Sequence, residues 1–171
     1  MDVYFAGLRW GHILAGIVWI GLLYYFNLVQ VPSFAKMEAP ARSNAIRILV
    51  PRALLWFRWA AVVTVGLGLI WIVSRSILVQ GYFGSAQFKS IVVGGTLGLI
   101  MLFNVWAIIW PNQKRIIAAT EATATKGVPA PSDQPKWARR AFLASRTNVM
   151  LSIPMLFFMV GAVHLQSLWQ R

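Results

Sequence analysis

The sequence has no cysteine, only four acidic residues and only two histidines in 171 residues. Without cysteine the chain can form no disulfide, no thiolate metal site and no covalent attachment to a c-type heme. No Asp or Glu falls inside any of the long apolar stretches. This absence argues against a proton pump that relies on a relay of carboxylates.

Charge is also scarce, because charged residues make up 12% of the chain and hydrophobic residues 58%. The mean hydropathy is +0.65. A water-soluble domain of this length could not bury so much apolar surface, so we predict one integral membrane domain covering residues 1–171. The first apolar run is too long for the core of a signal peptide, and no small-residue cleavage site follows it.

Four apolar stretches are long enough to cross a bilayer. The first, from Trp10 to Pro32, has no charged residue and corresponds to roughly 30 Å of helix. Pro32 and Pro111 are expected to end the first and third helices, and Pro154 to kink the fourth. We predict an all-α, integral membrane four-helix bundle, with helices at about 10–31, 53–75, 90–110 and 143–169.

Most of the positive charge falls between these stretches, in predicted loops 32–52 and 111–142. Both loops lie on one side of the membrane, and the positive-inside rule places them in the cytoplasm. Both termini are then periplasmic, in a bacterial inner membrane. The net charge of +12 is explained by topology and by anionic lipid at the loops, which argues against a nucleic-acid partner.

The two histidines are expected at the same side of the bilayer. His12 lies near the outer end of the first helix and His164 near the outer end of the fourth. Facing imidazoles from two helices can hold a b-type heme, with Arg9 and Arg75 pairing with its propionates. The alternatives are that each histidine bonds a carbonyl group or water at headgroup level, and that each arginine extends to lipid phosphate.

A second polar set falls in the inner half of the predicted bundle. Its members are Asn27, Arg58, Asn104 and Asn148. Such a set could line a pocket for a polar substrate or a quinone. The alternative is interhelical hydrogen bonding that fixes the packing of the helices. Close packing is also expected at the Gly94-Gly95-x-x-Gly98 pattern.

Three blocks of sequence resemble the membrane part of bacterial membrane-bound urate hydroxylases, the urate oxidase N-terminal domain family. The blocks are His12-x-x-Ala15-Gly16-Ile17-x-Trp19-Ile20-Gly21 with Tyr24-Tyr25-Phe26-Asn27-x-x-Gln30-x-Pro32, then Asn104-x-Trp106-x-x-Ile109-Trp110-Pro111-x-Gln113-Lys114, then Ser145-Arg146-Thr147-Asn148-x-x-Leu151-Ser152-x-Pro154-Met155. The resemblance implies a membrane oxidoreductase that passes electrons to a periplasmic cytochrome c domain. This chain is about half the length of the full enzymes and lacks a Cys-x-x-Cys-His segment.

Three functions remain open at this stage. The first is a small b-heme protein in electron transfer, with a separate periplasmic cytochrome c as partner. The second is a non-catalytic accessory subunit of a larger respiratory or photosynthetic membrane complex. The third is a transporter of a small anion that uses Arg58 and the inner asparagines. A b-type absorption band, co-purification with a complex, and vesicle uptake would separate these three.

Overall fold

The structure, a computed structural model, describes residues 2–164. All four of its long helices are long and apolar enough to cross a membrane, and no strand occurs within 2–164. The helices are α1 (Asp2–Lys36), α2 (Ala39–Leu78), α3 (Ala86–Lys126) and α4 (Gln134–His164). The prediction of an all-α membrane four-helix bundle is therefore confirmed. The predicted end of the fourth helix near residue 169 lies outside the described residues.

Two prolines were expected to end helices, and this expectation is wrong. α1 continues through Pro32 to Lys36, and α3 continues through Pro111 to Lys126. In each helix a six-residue π-helical turn precedes the proline, at Tyr25–Gln30 and at Asn104–Ile109. A π turn bonds residue i to i+5, which moves aside the carbonyl group that a proline ring would strike in a regular α-helix.

The predicted basic loops are mostly helical. Residues 39–52 belong to α2, residues 111–126 to α3 and residues 134–142 to α4, so the loop bounds 32–52 and 111–142 were wrong. Good helix formers such as Ala, Arg and Lys let the helices extend past the apolar stretches. The connections at this side are residues 37–38 and 127–133. α3 ends at Lys126, and the next residue, Gly127, has a φ of 65° that only glycine adopts easily.

At the opposite side, the α2–α3 connection turns at Gly81, which has a φ of 71°. A single 3₁₀ turn, Tyr82–Gly84, follows. Ser85 then caps α3, because its hydroxyl accepts a hydrogen bond from the Phe88 backbone N–H at 3.1 Å.

Sequential helices run antiparallel, so the described chain begins and ends at the same end of the bundle. We call this the histidine end, and the end with connections 37–38 and 127–133 the basic end. The core is centred on Trp19, Leu23 and Phe57, which are at most 2% exposed. Apolar side chains such as Trp56 (66% exposed) and Met150 (69% exposed) face outward, as lipid contact requires.

Candidate functional site

His12 lies on α1 against α2 and is half-buried. Its Nδ1 atom is 2.7 Å from the backbone carbonyl oxygen of Thr64. A carbonyl oxygen can only accept, so Nδ1 carries the proton and donates it. The lone pair is therefore on Nε2. A bond to a carbonyl group is the alternative given above for this histidine. The same bond is compatible with metal ligation through Nε2, because metal-bound histidines often donate their other N–H to a backbone carbonyl.

Gly68 makes room for this ring. A Cβ atom at position 68 would lie 3.1 Å from Nδ1 and 3.2 Å from Cε1 of His12, which is closer than ordinary van der Waals contact. The missing side chain at Gly68 allows the imidazole to lie directly against the α2 backbone. The orientation of His12 is thus set by the hydrogen bond to Thr64 and by the space that the absent side chain at Gly68 leaves.

Matched stripes of residues continue this contact along both helices. On α1, Phe5, Arg9, His12 and Gly16 follow helical spacing and share one face. The facing residues on α2 have the same spacing, and they are Thr64, Gly68, Trp71 and Arg75. The Arg9 guanidinium carbon is 5.8 Å from the centroid of the Trp71 ring. Both predicted arginines therefore lie on the same helix–helix seam as His12.

His164 is the last described residue of α4 and is exposed. The level of α4 against α1 is fixed by a 2.9 Å hydrogen bond between the Tyr24 hydroxyl and Ser152 Oγ. His12 is 12 residues from Tyr24, and His164 is 12 residues from Ser152. Each separation corresponds to about 18 Å of helix. Both histidines therefore lie at the histidine end at similar depth. Within residues 2–164, the two imidazoles do not contact each other.

The inner asparagines form hydrogen bonds between helices. The Asn104 side-chain amide donates to Asn148 Oδ1 at 2.8 Å, and Asn148, which is fully buried, donates to the Met101 carbonyl oxygen at 3.0 Å. Asn27 donates to Ser145 Oγ at 2.8 Å across the α1–α4 contact. Hydrogen bonds of this kind, which fix the packing of the helices, are what the alternative to a pocket describes. A substrate or quinone pocket at this set stays a prediction.

Arg58 lies against two indole rings of α3. Its guanidinium carbon is 3.6 Å from the centroid of Trp110 and 5.5 Å from that of Trp106. Cation–π contact of this kind stabilises a desolvated guanidinium. Arg58 Nε is buried and has no hydrogen-bond partner among residues 2–164. A pocket that Arg58 shares with the asparagines stays a prediction.

Two shallow depressions on the surface are lined by none of the candidate residues. One, of about 380 Å³, is an apolar groove between α1 and α2 lined by residues such as Ile17 and Trp56. The other, of about 550 Å³, lies on α4 and includes Phe142 and Arg146. Within the described residues, no three His, Cys, Asp or Glu side chains come together to hold a metal ion.

Sequence reasoning identified His12 but not its partners. Thr64 and Gly68 are separated by one helical turn, and this spacing was available in the sequence. The register of α2 against α1 was not available, so the carbonyl of Thr64 could not be paired with His12. Tyr82 and Trp71 were missed for the same reason, although both are buried beside Arg75.

Four helices that are each long and apolar enough to cross a membrane define a multi-pass helical membrane protein. The model of the family described as urate oxidase N-terminal matches residues 62–171. The chain therefore belongs to the urate oxidase N-terminal family. The second and third sequence blocks that resemble the urate hydroxylases lie inside the matched range, and the first block precedes it. No curated protein and no solved structure matches the chain.

Proposed function

We propose that this chain is a small b-heme membrane protein in electron transfer, related to the membrane part of urate hydroxylase. The observation that carries the proposal is the hydrogen bond from His12 Nδ1 to the Thr64 carbonyl oxygen, which leaves Nε2 available to iron. A b-type heme would supply reversible one-electron chemistry. His12 and His164 are the two imidazoles that would hold it.

The surroundings of His12 suit such a group. His164 lies at the same end of the bundle and at similar depth. Arg9 and Arg75 lie on the same seam as His12, where they could neutralise the two carboxylates of a heme. The aromatic rings of Phe5 and Trp71 on this seam offer apolar surface, which favours retention of a planar hydrophobic ring system.

The partners follow from the orientation that we propose. The helix ends that flank the connections at the basic end, within residues 32–52 and 111–142, carry most of the Lys and Arg, so this end faces the cytoplasm of a bacterium and contacts anionic lipid. The histidine end then faces the periplasm. Electrons would pass to a periplasmic cytochrome c or to a larger membrane complex.

The test is a reduced-minus-oxidised absorption spectrum of protein purified from cells supplied with heme precursor. A b-type band is expected in the wild type. His12→Ala and His164→Ala should each abolish or strongly reduce it. His12→Gly should regain part of the band when imidazole is added, because a free ring can occupy the vacated position.

Thr64→Val is the matched control. It removes a hydroxyl that bonds the Ala60 carbonyl oxygen but keeps the backbone carbonyl that holds His12. The control should retain the band. Absence of a b-type band in the wild type would refute the proposal. Co-purification with a larger complex and no intrinsic cofactor would instead support an accessory subunit.

A further inference from the structure

An aromatic cluster at the histidine end surrounds Arg75. The guanidinium carbon of Arg75 is 5.5 Å from the ring centroid of Phe5, 5.6 Å from that of Trp71 and 5.8 Å from that of Tyr82. These three rings form a small buried core separate from the main one. Arg9 approaches the same Trp71 ring at 5.8 Å. One cluster therefore holds two cations and joins α1, α2 and the α2–α3 connection.

Three hydrogen-bond donors in this cluster are unused. Arg75 Nε, Trp71 Nε1 and the Tyr82 hydroxyl are buried and have no hydrogen-bond partner within the described chain. Trp71 is 8% exposed and Tyr82 is 3% exposed. Buried polar groups in proteins are almost always paired. Three unpaired donors in a single cluster indicate an acceptor that residues 2–164 do not supply.

The charge of the cluster is also unbalanced. The two ion pairs among residues 2–164, Arg47–Glu121 and Lys136–Asp133, both lie at the basic end. Neither Arg9 nor Arg75 has a carboxylate partner in the described part of the chain. A water molecule could accept from one donor, but it would not offset the charge of Arg75, which is half-buried among these aromatic rings, while Arg9 is exposed beside them.

Tyr82 is a donor under ordinary conditions. Burial raises the pKa of its hydroxyl, and the nearby Arg75 only partly opposes this effect. The hydroxyl therefore stays protonated at neutral pH. The indole N–H of Trp71 and the guanidinium of Arg75 are donors without any acceptor capacity. A cluster of cations and donors selects an anion over a neutral ligand.

We propose that Arg9, Trp71, Arg75 and Tyr82 form a binding site for an oxyanion, a phosphate or a carboxylate. Two sources offer this chemistry at the histidine end. One is the phosphate of an anionic lipid in the adjacent leaflet. The other is a carboxylate of a bound heme, and this second source rests on the proposed function. The first source does not depend on a heme.

The lipid source is tested by native mass spectrometry of the detergent-purified protein with phosphatidylglycerol or phosphatidylcholine. The wild type should retain phosphatidylglycerol in preference. Arg75→Gln and Tyr82→Phe should each weaken retention of one such lipid by about tenfold, the size of a lost charge-assisted hydrogen bond. Tyr82→Phe keeps the ring and its packing, so it reports on the hydroxyl even if Arg75→Gln folds poorly.

Lys89→Gln is the matched control. Lys89 is exposed at the same end, so this variant removes the same charge without touching the cluster. None of these variants alters the basic end, so lipid bound there contributes equally to every measurement and does not affect the difference between variants. Retention by Lys89→Gln should equal that of the wild type.

The heme source is tested with heme b and its dimethyl ester, which lacks free carboxylates. If a heme carboxylate occupies the site, the wild type binds heme b more tightly than the ester, and Tyr82→Phe removes this difference. If neither heme form binds, the proposed function fails while the lipid experiment still decides this inference. The inference is overturned if Arg75→Gln and Tyr82→Phe behave as Lys89→Gln does in both experiments.

Discussion

His12 donates from Nδ1 to the backbone carbonyl oxygen of Thr64 over 2.7 Å, a contact that joins the first two membrane helices. The acceptor is a main-chain atom, so the contact does not depend on the side chain at position 64. It depends instead on the approach of the two helices, and Gly68 allows that approach. The ring is therefore positioned by the backbone of its partner helix.

The first prediction concerns this approach. Gly68→Ala places a methyl group about 3.1 Å from the imidazole, so the ring or the helix must move. We expect a loss of about 1–3 kcal/mol in the free energy of unfolding, as in other overpacked sites. The position and height of the b-type band should also change. Denaturant unfolding and the absorption spectrum measure the two effects.

Gly66→Ala is the control for that change, because a Cβ atom at position 66 would meet nothing within 4 Å. It should leave the spectrum unchanged and should not lower stability, since alanine is the better helix former. Equal effects of the two substitutions would show that the His12 contact does not limit the approach of α1 to α2.

A second prediction concerns the glycines of α3. A Cβ atom at Gly94 would lie 3.2 Å from the Met155 carbonyl oxygen of α4, whereas one at Gly95 would meet nothing within 4 Å. Gly94→Ala should therefore destabilise the protein by about 1–3 kcal/mol. Gly95→Ala should be neutral or slightly stabilising. Thermal unfolding in detergent compares the two variants, and a larger loss for Gly95→Ala would contradict the packing described.

A third prediction concerns the hydrogen bond between Asn104 and Asn148. Asn148→Ala removes both this bond and the bond to the Met101 carbonyl oxygen, so it should cost more stability than Asn104→Ala. A double-mutant cycle should give a coupling of about 0.5–2 kcal/mol, the range found for hydrogen bonds between membrane helices. A coupling near zero would mean that the two side chains are independent.

The fourth prediction concerns pH and the basic end. Arg47 donates from Nη2 to Glu121 Oε1 at 3.0 Å, and this contact lowers the pKa of the Glu121 carboxyl group. A carboxyl with a lowered folded-state pKa stabilises the fold above its unfolded pKa, and this stabilisation is lost as pH falls through the folded pKa. The loss should therefore occur below about pH 4.

Thermal unfolding of the wild type and Glu121→Gln from pH 6 to pH 3 tests this prediction. The difference between the two should be present at the higher pH, vanish at the lower pH and shrink in high salt, because the pair is exposed. Glu38→Gln removes an acid at the same end and should retain the wild-type pH response. A pH response that is identical in Glu121→Gln and the wild type would exclude the pair as its cause.

The number of helices was readable from the sequence because lipid imposes a simple rule. A stretch such as 10–31 is too long and too apolar for any other role, and four such stretches fix an antiparallel bundle with an even number of crossings. Gly94 was likewise recognisable, because a small-residue pattern in an apolar helix has few other purposes. These inferences depend only on local composition.

The helix ends were not readable in the same way. The proline rule describes regular α-helical geometry, and it fails at Pro32 and Pro111 because a π turn precedes each one. The polar residues 39–52 were assigned to a loop because they would not enter lipid, but a helix can continue beyond the bilayer. The limit of a membrane span and the limit of a helix are different physical boundaries.

The candidate site was readable only in part. His12, Arg9 and Arg75 could be selected from the sequence, because titratable and charged residues are rare in this chain. Their partners depend on how α2 is rotated and shifted against α1, which is a tertiary property. The same holds for Asn27, whose partner Ser145 lies far away in the sequence.

The two π turns also affect how this sequence aligns with a related sequence that has regular helices. Each wide turn accommodates one residue more than a regular helix of the same height, so side chains beyond Pro32 and Pro111 are rotated by about 100° from the faces that uninterrupted helices would give. Removing a single residue from either turn should reverse that rotation. A chain with regular helices here would therefore align only with a one-residue gap before each proline.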